Sequence, residues 1–119
     1  MPIASISLTI VQHDDHRFYF TLFDSDGADL DPDDLSELTF IFALGVNSVA
    51  VLTKKKSLGE IVKSGANEVY FDLSSAETGA FTSSSFYCEM KGVAAVGGLK
   101  QTLAIGAASV RDTQIGDYP

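Results

Sequence analysis

The chain has 119 residues, with 45% apolar and 20% charged residues, one cysteine and two histidines. That length suits one domain whose core needs no metal or disulfide, and the cysteine count excludes a disulfide framework and a usual zinc ligand set. Sixteen acids against eight bases give a net charge of −8, a field that repels phosphate and argues against nucleic-acid binding.

The imbalance is local. Nine acids and one base, Arg17, lie between Asp14 and Glu37, and the rest of the chain is neutral in sum. No apolar run reaches the roughly 20 residues that a membrane span needs. No charged leader with a continuous apolar stretch opens the chain, so neither a membrane partner nor a secretory signal is expected.

In chain order, Ile6, Leu8 and Ile10 alternate with Ser7, Thr9 and Val11 and predict a first strand. Phe18, Phe20 and Leu22 alternate with Tyr19, Thr21 and Phe23, which gives a second strand two apolar faces. Such a strand belongs at the centre of a sheet, or turns one face to a partner. Asp24 to Gly27 reads as a tight turn, and the acids from there to Glu37 as a surface loop, because carboxylates are not buried unpaired. Leu38, Phe40, Phe42 and Leu44 give the clearest strand, followed by Val49–Leu52 and a short one over Leu58–Val62.

After a turn cluster at Ser64–Asn67, Val69, Phe71 and Leu73 alternate with Glu68, Tyr70 and Asp72 in a strand with one polar face. Ser74 and Glu77 then have the spacing of a capping box, which predicts one short helical turn ended by Gly79. Phe86, Cys88 and Met90 line another strand. Gly97-Gly98 suits a hairpin turn, and Leu99, Gln101, Leu103 and Ile105 share one face of the return strand. Gly106 predicts a bulge. The expected core covers residues 4–110 of a single domain spanning 1–119, with a polar tail over 111–119. About seven short strands and one helical turn predict an all-β, antiparallel immunoglobulin-like β-sandwich; strand count alone leaves a barrel open.

Candidate chemistry is sparse. The acids from Asp24 do not have EF-hand spacing, since Gly27 is fourth and Leu35 twelfth. His13 and His16 flank Asp14-Asp15 with no nucleophile placed beside them, and read as surface imidazoles. Cys88 shares the apolar face of Phe86 and Met90 and reads as a small buried hydrophobe. The run Thr82–Ser85 lacks the strand–turn–helix context of a nucleophile elbow. Lys54-Lys55-Lys56 reads as a solvated turn or a charged strand edge. No catalytic residue, cofactor or metal is expected. Phe86-Tyr87-Cys88 is similar to the aromatic-x-Cys of antibody-type domains, but the second cysteine and the tryptophan are absent, which excludes their disulfide and not their topology.

The stretch from Phe18 to Asp31, followed by Leu38-Thr39-Phe40-Ile41-Phe42, resembles a tailed-bacteriophage pattern. In that pattern a strand ends in Asp-x-x-Gly, a Leu-Asp segment follows, and a second aromatic strand comes next. Val69–Thr78 and the closing hairpin also fit. The likeness runs from Arg17 to Val110 and is to the N-terminal β-sandwich of phage baseplate upper proteins and related small phage structural proteins. Pro32-Asp33-Asp34 replaces the usual short link, and the baseplate proteins continue into further domains. The resemblance implies a non-enzymatic virion structural protein, assembled in the host cytoplasm. It implies an accessory of the tail or baseplate, or a capsid decoration protein; the alternative is a ligand- or carbohydrate-binding module. The expected partners are other virion proteins and further copies of the chain.

Two features mark the expected interface. Tyr19, Thr21 and Phe23 form a second apolar face that one small domain struggles to bury. Asp24, Asp26, Asp29, Asp31, Asp33 and Asp34 form an acidic surface suited to a basic neighbour. A divalent cation shared among Asp24, Asp26 and Asp29 is the lesser use of the same acids.

Overall fold

The computed structural model describes residues 4–24 and 26–111. They form a mostly-β fold of eight strands in two sheets with one short helix. The strands are β1 (Ala4–Val11), β2 (His16–Thr21), β3 (Leu35–Ala43), β4 (Ala50–Lys55), β5 (Ile61–Gly65), β6 (Glu68–Leu73), β7 (Ser85–Ala94) and β8 (Lys100–Arg111), with α1 (Ser75–Gly79) between β6 and β7. One sheet has the order β1-β8-β7-β3-β4 and the other β2-β6-β5.

The alternating apolar residues decide which faces meet. Phe40 and Phe42 on β3 and Phe71 on β6 are fully buried. The Phe40 and Phe71 rings lie 4.7 Å apart across the two sheets, and the Phe20 ring of β2 lies 5.3 Å from Phe40. Phe81 and Phe86 extend this aromatic cluster at 4.8 Å. Phe40, Phe42, Phe71, Leu73, Phe86 and Leu103 are all buried, as their alternation predicts. Cys88 is buried among them, and loss of solvation pushes its thiol up to about 12.

Ser74 caps α1 as its spacing predicts: its hydroxyl accepts from the Glu77 amide, and the Glu77 carboxylate accepts from the Ser74 amide. The closing hairpin is wider than a two-residue turn. Ala95 to Gly98 form the loop, and the Ala94 amide donates to the Leu99 carbonyl. Gly97 and Gly98 both take positive φ, at 82° and 66°.

Several expectations are corrected. The larger sheet is mixed, because β1 pairs with β8 in parallel. Among the described residues β2 is an edge strand, paired only with β6. The bulge in β8 falls at Leu103, where pairing with β7 shifts between Met90 and Lys91. Leu103 and Ala104 therefore both point inward, and Ile105 turns out to solvent. Gly106 is a close approach instead: an added Cβ would collide with the Ile6 carbonyl of β1. Lys56–Leu58 is a 3₁₀ turn, so β5 starts only at Ile61. The acidic segment is not one loop, since Pro32–Asp34 form a second 3₁₀ turn and Leu35–Glu37 already belong to β3. Arg111 ends β8, and the rest of the expected polar tail, 112–119, lies outside the described residues.

Candidate functional site

The second apolar face expected of β2 becomes an outer stripe on the smaller sheet. The β2–β6 register sets Tyr19 opposite Tyr70, and the β5–β6 register sets Val62 opposite Tyr70. The two tyrosine rings lie 5.6 Å apart, and Tyr19 is 55% exposed. One pair along, Arg17 grips Asp72 with two hydrogen bonds of 2.7 and 2.9 Å. Its guanidinium also sits 4.0 Å above the Tyr70 ring. The hydrogen bond to Asp72 raises the Arg17 pKa above its usual value, and the same bond holds the Asp72 carboxyl below its own.

Tyr19, Thr21 and Phe23 also come together along a groove of about 470 Å³. It opens between the edges of β1 and β2, and Ala4, Ser5, Ile6, Met90 and Leu103 line its other side. Phe23 is 44% exposed and pairs with Asp29 through one bridge. Apolar floor and aromatic rim thus lie where the shorter sheet leaves the larger one uncovered.

The acids divide into two groups. Asp24 is spent locally: its Oδ1 accepts from the amides of Asp26 and Ala28, at 2.8 and 3.0 Å. Asp26 and Asp29 are exposed on the same turn, and Gly27 of that turn lines the groove. Asp31 and Asp33 lie away from the groove lining, where both accept from Lys63 Nζ at 2.9 Å. The Asp33 amide, followed by Lys63, lowers the Asp31 pKa, and the two acids raise that of Lys63. Asp34 is exposed on the 3₁₀ turn, and its carbonyl accepts from the Ala95 amide. The acidic segment therefore does more inside the fold than a free loop would.

One further reading is corrected by position and another is refined: Lys54 and Lys55 do lie on the edge strand β4, with Lys55 exposed. His16 opens β2: its Nε2 contacts the Val11 amide and carbonyl at 3.0 and 3.3 Å, and its ring stacks on Phe18. His13 takes φ 70° and packs beside Gly79, so neither imidazole is a bystander in a loop. Lys54 points inward, 7% exposed, and binds Glu77 at 2.8 Å, while Lys56 donates to the Leu35 carbonyl.

Sequence reasoning missed Arg17, Tyr70, Asp72 and Lys63 as parts of these surfaces. Alternation in β6 puts Tyr70 and Asp72 on the polar face, but their partners follow only from the register. Among the described residues, no three His, Cys, Asp or Glu side chains are grouped to hold a metal ion. No family model matches this chain, and no curated protein matches it either.

Proposed function

We propose that this protein is a non-enzymatic structural protein of a tailed-phage virion, an accessory subunit of the tail or baseplate or a capsid decoration protein. In this reading its two sheets form an immunoglobulin-like β-sandwich with one parallel edge pair, and its partners are other virion proteins and copies of itself. The observation that carries the reading is an open, partly apolar groove beside an acidic turn. Exposed Tyr19 and Phe23 flank an open groove, beside a turn whose Asp26 and Asp29 make no ion pair with a described residue. Apolar contact area rimmed by one sign of charge suits permanent seating on a basic neighbour. The resemblance of the Arg17–Val110 stretch to phage baseplate sandwiches names the setting. The test is copurification with purified phage particles. A fixed stoichiometry through a density gradient supports the reading, and loss of the protein from particles overturns it.

The same groove favours one second reading, a ligand- or carbohydrate-binding module, because a concave apolar site with aromatic rims is where small molecules bind. Oligosaccharide titration followed by chemical-shift changes at Tyr19 and Phe23 separates the two.

A further inference from the structure

Among the described residues four strands lie at sheet edges: β1 and β4 in the larger sheet, β2 and β5 in the smaller. An open edge invites pairing with another chain, and charged residues are a usual defence. β2 carries Arg17, β4 carries Lys54 and Lys55, and β5 carries Lys63. β1 has eight residues, Ala4–Val11, with no charge, proline or glycine among them. In a chain of net charge −8 that is the edge on which two copies can meet without repulsion.

The open groups on β1 are set by its pairing. The Gln12 amide donates to the Arg111 carbonyl, so Gln12 and, by alternation, Ile10, Leu8 and Ile6 turn their backbone groups to β8. Val11 turns its groups away, and there His16 Nε2 lies 3.0 Å from the amide and 3.3 Å from the carbonyl, bonding one or the other according to its tautomer and standing in front of both. The same parity leaves the amides and carbonyls of Ser5, Ser7 and Thr9 on the free edge.

We propose that β1 pairs antiparallel with β1 of a second copy, about a two-fold axis at Ser7. This deepens the self-association part of the function proposed above and rests on it. Centring on Ser7 sets Ser5 against Thr9 of the second copy and uses every open group on both strands. Centring on Thr9 would set Ser7 against Val11, whose edge the His16 ring already covers. His16 thus fixes the register. Opposed side chains stay matched, Ser and Thr on the outer face, Ile6 against Leu8 on the inner face. Ala4 and Ser5 line the groove beside Tyr19 and Phe23, so the second copy covers that opening as well. Each copy has one such edge, so the assembly closes at two.

Light scattering on the isolated full chain is expected to give a dimer. Ser7→Pro removes an amide that β8 does not use, and an edge strand accepts proline there. It should yield a monomer with an unchanged circular dichroism spectrum. Ser7→Lys, which opposes two cations across the axis, should do the same and decides the matter where the proline variant fails to fold. In hydrogen exchange, the amides of Ser5, Ser7 and Thr9 should be protected in the dimer and lose at least tenfold of that protection on dilution. A monomeric wild type, a dimer surviving Ser7→Lys, or fast exchange at these three amides in the dimer overturns the proposal. A monomer that still copurifies with particles leaves the virion reading standing. A dimer absent from particles overturns that reading alone.

Discussion

A Cβ placed on Gly106 would run into the backbone of Ile6, because the parallel pairing of β1 and β8 brings the two chains into contact there. Gly106→Ala must therefore push β1 outward. A cost at the upper end of the roughly 1–3 kcal/mol typical of overpacking is expected, with faster hydrogen exchange in β1. No loss in a urea titration would mean that β1 does not pair as described. Phe42 poses the opposite problem. It is fully buried, 5.0 Å from Phe40 and 5.4 Å from Phe81 by ring centroids. Phe42→Ala leaves a cavity bounded by rings that cannot collapse into it, so a loss of about 3–5 kcal/mol is expected. A loss below about 1 kcal/mol would contradict the packing of β3 against β6.

At the scale of elements, α1 has five residues and no stability of its own, so it depends on its cap and on packing. Ser74→Ala should cost about 1 kcal/mol, read as a lower urea midpoint at unchanged slope. Glu77 joins this cap to β4 through Lys54. Desolvation pushes the Glu77 carboxyl up, but the hydrogen bonds from Lys54 and the Ser74 amide outweigh it and leave the pKa below the usual glutamate range. A carboxyl depressed in the folded state stabilises above its unfolded pKa, and that contribution fades as pH falls through the folded one. Wild type should thus lose more stability than Glu77→Gln as pH drops from neutral through the glutamate range and below it, and parallel curves would refute this. Most strand positions, the capping box and the inward faces of β3, β6 and β7 were legible in the sequence, since alternation and capping are local. What was not legible is pairing. Nothing near Ile6 says that its neighbour is Gly106, and nothing in Phe18–Phe23 says that the outer stripe rests on Tyr70 and not on a second layer. A glycine in a strand means either a bulge or a close approach, and only the register tells which. Of the candidate site, Tyr19, Thr21 and Phe23 were visible as a surplus apolar face, whereas Lys63's hold on Asp31 and Asp33 depends on β5 folding beside the 3₁₀ turn.

For the whole molecule, the question is where a charge of −8 acts. Asp31, Asp33 and Glu37 have partners within the fold, and Asp24 holds its own turn. Asp26, Asp29 and Asp34 remain exposed without an ion pair to a described residue, two of them on the turn beside the groove. Charges left in water contribute little to folding, and their use in the function proposed above would be to steer and orient a basic partner. Two responses distinguish this from cation binding. Attraction to a basic partner surface should weaken steadily between about 0.05 and 0.5 M salt, because the Debye length falls about threefold. A bound cation would instead stabilise the folded chain by mass action. Asp24 already gives its Oδ1 to two amides, so Asp24, Asp26 and Asp29 are poorly arranged to share an ion. Melting curves in millimolar CaCl₂ and in NaCl of equal ionic strength should therefore superimpose. A calcium-specific rise of several degrees that Asp26→Asn abolishes would move these acids from steering to coordination.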